Sequence, residues 1–269
     1  MSRSGLLALV FFSLSAASLR ADQLSVLAAD NFAVLGAATT TNTGPTVLNG
    51  NLGVYAGSAI TGFPPGIVNG ATDITNALAA QGQTDASNAF IYLAGLAPTH
   101  TLTGQDLGNL TITPGVYFYS ASAQLTGPLT LDFQGMNNAN IVFQIGTSLT
   151  TASGSSVIVE GAGTNDNVYW EVGSSAVLGT TTAFIGDIIA KTSITLNTGA
   201  TIRCGSALAL TGAVTMDTNV ISTCAGGTGG IGGTGGGGVV NTTPEPGTLG
   251  LLATGILGVA GAIRRRLSA

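Results

Sequence analysis

The chain reads as an all-β protein with one long helix, its strands wound into a β-solenoid. Three observations carry that reading. The stretch from Ile141 to Cys224 repeats itself: Ile141-Val142-Phe143-Gln144-Ile145-Gly146-Thr147-Ser148 returns 27 residues later as Val168-Tyr169-Trp170-Glu171-Val172-Gly173-Ser174-Ser175. Gly173–Phe184 then aligns with Lys191–Ile202 at an offset of 18, and Ile194–Cys204 with Val214–Cys224 at an offset of 20. Offsets of this size, with apolar and Ser/Thr positions in step, are what stacked coils produce, because each coil buries its apolar edge against the next. The second observation is composition. Of 269 residues 45% are hydrophobic, only 7% are charged and 41 are Gly, whereas an ordinary globular chain is about 25% charged. Regularly spaced apolar residues also argue against disorder. The third is that only one segment has helical spacing.

In chain order, residues 1–21 read as an export signal: Arg3 at the positive end, an apolar core from Leu6 to Leu14, then small residues from Ser15 to Ser18. Cleavage after Ser18 and cleavage after Ala21 both fit. The solenoid domain is placed at residues 22–224. Its opening, Phe32 to Gly66, reads as one or two coils. A Thr-rich run from Thr39 to Thr43 lies there, with Asn49-Gly50-Asn51 as a turn and Gly62-Phe63-Pro64-Pro65-Gly66 closing the section. The helix is expected from about Asp73 to Leu96. Thr72 or Asp73 would cap it, and Ile74, Ala77, Leu78, Ala86, Ala89, Phe90 and Leu93 would form its apolar stripe. Gly82 weakens its middle by about 1 kcal/mol relative to Ala, so packing against the solenoid must hold it. Its polar side lacks the basic residues of a membrane-surface helix.

Coils resume at Leu107, with Thr111–Tyr119 as strand, tight turn and strand, and alternation from Gln124 to Phe133. The polar run Gly161–Asn167 accounts for the longest offset as an insertion at a corner. Stacking the repeats assigns columns. Leu149, Ala176, Ile194 and Val214 point inwards, as do Thr151, Leu178, Leu196 and Met216. Between them Thr150, Val177, Thr195 and Thr215 face out. Past a corner come Ser153, Thr180, Thr198 and Thr218, then a shorter column of Ser156, Ala183 and Thr201.

Charge and chemistry exclude several functions. Between Asp22 and Val240 the only Lys or Arg residues are Lys191 and Arg203, against eleven carboxylates, so no nucleic-acid partner is expected. His100 stands without Cys or carboxylates at ligand spacing, so no metal or cofactor is expected and a loop or packing role fits it best. Coil stacking would have to bring Asp187 to Asp217, or Glu160 to Glu171, to make a glycosidase-like pair. No recognisable motif supports that, and no enzyme activity is expected. Cys204 and Cys224 occupy matching places one coil apart in an exported chain, which predicts a disulfide stapling the last coils.

Phe32–Gly66 resembles the opening of the secreted ice-binding-like β-solenoid family of bacteria, fungi and algae. Thr113-Pro114-Gly115-Val116-Tyr117, Phe143-Gln144-Ile145-Gly146 and Ile194-Thr195-Leu196-Asn197-Thr198-Gly199-Ala200 are similar to recurrent segments of that family, and the likeness spans Phe32 to Ile221. It implies a discontinuous right-handed β-solenoid (β-helix) of triangular cross-section, an α-helix packed alongside, and an N-terminal coil lying among the later ones. It further implies an ice crystal surface as partner, met by a flat Ser/Thr-rich face. Coils stack at ~4.8 Å and alternate residues along a strand repeat at roughly 6.7 Å, a grid that approaches oxygen spacings in ice. The β-branched Thr side chain is stiff enough to hold water there. The candidate residues are Thr150, Ser153, Thr180, Thr195, Thr198, Thr201, Thr215 and Thr218. Thr198-Gly199-Ala200-Thr201 fits the Thr-Ala/Gly-x-Thr/Asn pattern of some members, and Thr151-Ala152-Ser153-Gly154 fits it in part. A structural or adhesive role in an extracellular polysaccharide matrix is the alternative.

Past Cys224 the composition shifts. Residues 225–243 are mostly Gly and Thr, the make-up of a linker. Residues 244–269 begin with Pro244-Glu245-Pro246, continue in an apolar run from Leu249 to Ile263, and end in Arg264-Arg265-Arg266. This order resembles the PEP-CTERM sorting signal. The resemblance implies an exosortase partner, transient inner-membrane contact through a short transmembrane segment, and delivery to the cell envelope or beyond.

Overall fold

The computed structural model describes residues 29–224; the signal segment, the Gly-rich linker and the sorting segment lie outside them. Twenty-four short parallel strands form three sheets that make the three sides of a solenoid. Seven complete coils each give one strand to every sheet. In chain order their strands on sheet 1 are Phe32–Gly36 (coil 1), Asn51–Val54 (coil 2), Gly115–Tyr119 (coil 3), Asn140–Ile145 (coil 4), Asn167–Val172 (coil 5), Asp187–Ala190 (coil 6) and Ala207–Ala209 (coil 7). Thr72–Ile74 and the pair His100–Thr101 and Thr111–Ile112 add partial coils at the two ends.

The stacking order is not the chain order. Coils 3 to 7 follow one another, but coil 1 pairs with coil 7 on one side and coil 2 on the other. The solenoid is discontinuous, and the opening section forms two complete coils.

Inward-facing positions fill the centre with one contiguous apolar core. On sheet 1 the inner row runs Tyr117, Phe143, Trp170, Ile188, Ala207, Val34, Leu52 in register. Phe143 and Trp170 stack with centroids 4.0 Å apart, and His100 closes the aromatic row by stacking on Tyr117 at 4.8 Å. Such large rings bury much area per residue, which lets a narrow solenoid sustain a core.

The helix α1, Ala77–Ala94, is shorter than its apolar spacing indicates. Thr72–Ile74 pairs with coil 2 as a strand instead, and Asn76 is the cap, its side-chain oxygen accepting the Ala79 amide at 2.9 Å. Backbone pairing to an existing sheet edge wins over local helix propensity there. Ile74 and Leu78 are consequently exposed, while Ala79, Gly82, Ala86, Ala89 and Leu93 make the buried face. That face covers Phe32, Leu35, Val142, Tyr169, Ile189 and Leu208 on the outside of sheet 1. Gly82 permits the close approach: a Cβ there would lie 2.8 Å from the Phe32 ring. At the other end Gln144 donates to the Leu93 and Leu96 carbonyls at 2.7 and 2.9 Å, fastening the last turn of the helix to sheet 1.

Candidate functional site

With sheet 1 under the helix, two sides remain open among the described residues, and they differ in chemistry. Sheet 3 exposes a mixture: Ile67, Ile158 and Val220 stand out alongside Glu160 and Arg203. Sheet 2 is different. Its seven strands are Ala123–Leu125, Leu149–Thr151, Ala176–Leu178, Ile194–Leu196, Val214–Asp217, Thr39–Thr43 and Ala59–Thr61 in spatial order. Their central outward residues form one unbroken ladder: Gln124, Thr150, Val177, Thr195, Thr215, Thr41, Thr61. Two residues earlier along each strand stand Ser122, Ser148, Ser175, Ser193, Ala213, Thr39 and Ala59. Because strands alternate faces, these share the outer surface with the ladder. The inner neighbours, from Leu149 and Ala176 to Ile194 and Val214, are fully buried, so the rows cannot slip without exposing the core.

Thr150, Thr195 and Thr215 therefore come together at the centre of one side. Ser153, Thr180 and Thr198 are exposed at the corner between sheets 2 and 3. Six of the seven coils place a left-handed residue at this corner: Gly44, Gly62, Gly154 and Gly199, and also Thr181 and Thr218. Thr218 thus occupies the position of Gly199, not of Thr198, because the coil 7 corner is one residue shorter: Leu196 pairs with Met216 but Thr201 with Val220. A constant offset of 20 misses that deletion. Thr201 lies past the corner on sheet 3, half-buried. Thr198-Gly199-Ala200-Thr201 accordingly straddles two sides, with Ala200 fully buried. Thr151 points inwards, where its hydroxyl accepts the Gly179 amide and pairs with Thr182, both at 2.8 Å.

Charges border this surface at two corners, Asp217 towards sheet 3 and the exposed Lys191 towards sheet 1. Asp217 accepts the Thr198 hydroxyl, and the Thr218 hydroxyl at 2.9 Å. These bonds, Thr198 first, hold its carboxyl below the usual carboxylate range. The sequence left the Thr39–Thr61 stretch and the Ser column out of the candidate surface. Period-two alternation in Thr39-Thr40-Thr41-Asn42-Thr43 was the available signal, since Thr40 and Asn42 are buried and Thr41 faces out. The partner of that strand, however, lies about 170 residues away, as the Thr41 to Thr215 hydroxyl contact across a separation of 174 illustrates.

Stacking does not bring the carboxylate pairs together. Asp187 and Glu171 lie on sheet 1, Asp217 at the edge of sheet 2 and Glu160 on sheet 3. Glu171 is buried, and burial pushes its carboxyl up to about 7. The carboxyl of Asp187 also rises to about 7 through burial, against the hydrogen bond from Ser206. Burial, then the charge of Asp85, raises Asp30 to about 6. Cys204 and Cys224 form a disulfide with their α-carbons 4.3 Å apart. Among the described residues no helix is long and apolar enough to cross a membrane.

Comparison with known proteins adds to this geometry. The family model described as Ice-binding-like matches residues 34–222, and that of the PEP-CTERM protein-sorting motif matches residues 242–266. An ice-binding protein of Nostoc sp. (strain HG1) is 50% identical over 263 residues, covering 97% of this chain and 94% of the relative. The crystal structure of an ice-binding protein from the Antarctic ascomycete Antarctomyces psychrotrophicus superposes with a TM-score of 0.71 at 38% identity, over 75% of this chain and 98% of that one. An ice-binding protein from an Antarctic biological consortium gives 0.72 at 42% identity, over 75% and 91%. In sequence and in fold, the chain belongs to the ice-binding-like family.

Proposed function

We propose that the domain adsorbs to ice through sheet 2. The observation that carries this reading is the in-register ladder Thr150, Val177, Thr195, Thr215, Thr41, Thr61, flanked by the Ser column. Strand spacing of ~4.8 Å and side-chain spacing of roughly 6.7 Å turn it into a two-dimensional grid of methyls and hydroxyls. Thr side chains on a strand are held in few rotamers, so water bound among them is positioned before it meets a crystal. The exposed Ser153, Thr180 and Thr198 extend the grid along one edge. Thr218 and Thr201 support its border, the first through Asp217 and the second on the adjoining side. The named activities of the relatives and the uncharged character of the grid both favour ice over a charged partner.

Residues 1–21 and the sorting motif support export, with the C-terminal segment read by an exosortase at the inner membrane and the domain delivered to the envelope or extracellular space.

Replacing Thr215 by Tyr tests the site. A ring at the ladder's centre should reduce thermal hysteresis to the buffer baseline. Because the position is exposed, Tm should move by no more than about 2 °C. Ile158→Tyr on sheet 3 should leave hysteresis unchanged. Equal loss from both, or from neither, would place ice contact elsewhere.

A further inference from the structure

Beside the grid, at the corner between sheets 1 and 2, a groove of about 540 Å³ runs along the outer edge of α1. It is formed by the residues that follow the sheet 1 strands of coils 7, 1 and 2, where the chain turns towards sheet 2, and by two turns of the helix. None of its ten lining residues carries a charge. Its apolar lining is Ala37, Ala56, Ala80 and Leu210. At its rim Tyr55 stands 37% exposed.

The polar groups around this floor are both donors and acceptors. Gln83 gives one amide hydrogen to the Ala209 carbonyl at 3.1 Å, which leaves its side-chain oxygen and second hydrogen open. Thr84 and Thr211 donate to the Ala80 and Lys191 carbonyls and so turn lone pairs outwards. The side chains of Ser87 and Asn88 and the Tyr55 hydroxyl hold no hydrogen bond within the described residues.

An exposed ring, small apolar residues and uncharged two-way hydrogen-bonding groups match one chemistry well. Sugar rings present an apolar face for stacking and a rim of hydroxyls that both give and accept. None of the lining residues is a cation that would favour a phosphate or a carboxylated ligand. Its volume lies within the 300–1,000 Å³ typical of ligand clefts. We propose that this groove binds a short stretch of a neutral polysaccharide, its sugar rings stacking on Tyr55 and their hydroxyls bonding Gln83, Ser87 and Asn88. Bound there, a matrix polymer would lie along the helix edge and leave the centre of sheet 2 uncovered. The inference is independent of the ice reading.

Affinity electrophoresis of the full exported protein through gels containing dextran, galactomannan or a β-glucan tests it, with alginate as the anionic control. Retardation is expected in at least one neutral polymer and not in alginate. Tyr55→Ala should weaken it by roughly tenfold or more, while Tyr55→Trp, which keeps a stacking ring, should restore it. Asn88→Ala should weaken it without changing Tm. All three variants should retain full thermal hysteresis, which separates this site from the ladder. No retardation in any neutral polymer, retardation by alginate alone, or equal binding by Tyr55→Ala and the parent would overturn the proposal.

Discussion

At the scale of single residues, the exposed ladder separates two properties of Thr that are usually lost together. Val177 already stands among the threonines, so the grid accepts a residue that keeps the branch and lacks the hydroxyl. If stiffness of the side chain is what positions water, Thr195→Val should keep more thermal hysteresis than Thr195→Ser, which keeps the hydroxyl and loses the branch. Hysteresis measured at equal protein concentration decides between them. The central column was legible in the sequence because Thr150, Thr195 and Thr215 lie in segments similar enough to align directly, although their offsets run 27, 18 and 20. Thr218 was not, because a one-residue deletion in a corner is invisible to any fixed offset. Thr41 and Thr61 were missed for another reason: nothing local reports which coil a strand will join.

Between elements, the seam of α1 and sheet 1 sets much of the stability. Gly82 costs the isolated helix about 1 kcal/mol relative to Ala, and Gly82→Ala would restore that propensity. In the folded protein the added methyl meets the Phe32 ring at 2.8 Å and Leu35 at 3.1 Å. Overpacking of this kind costs about 1–3 kcal/mol, so the net effect should be a lower Tm. The need for packing was readable from Gly82 in an amphipathic run; the cap at Asn76 was not, because pairing to coil 2 claims Thr72–Ile74 first. The same seam and the strands next to it bury carboxyls. Asp30, Glu171 and Asp187 have their folded values raised to about 6, 7 and 7, from ordinary values of 3.8, 4.5 and 3.8. Each therefore binds a proton more tightly when folded, and the stability it contributes is full below about pH 4 and lost as pH rises through 6 to 7. Asp217 works in the opposite sense, losing its contribution as pH falls through its lowered value. Thermal melts should give a higher Tm at pH 5 than at pH 8, and Glu171→Gln should narrow that difference.

The whole molecule is held at one level by a covalent tie. Cys204 and Cys224 close a loop with a sequence separation of 20, and a loop of that size stabilises by about 3 kcal/mol. Reduction, or the double change to Ala, should lower Tm measurably while leaving the ladder's hysteresis intact at low temperature. The spacing of 20 pointed to this bond, although the register sets Cys204 level with Thr223, because Arg203 pairs with Ser222; Cys224 lies one residue further on and the bond still closes with the α-carbons 4.3 Å apart. The interleaving of coils 7, 1 and 2 was not legible from periodicity; it came from resemblance, and the register shows its extent.

That interleaving alters what kind of object a solenoid is. Ordinary stacked repeats resemble a zip, able to close from one tooth onwards and to tolerate a lost end. Here the first turn of the chain is a slice whose neighbour on one side is the last turn. One edge of the early segment therefore has its partner only once coil 7 is present. A shortened copy would be not a smaller stack but an open one.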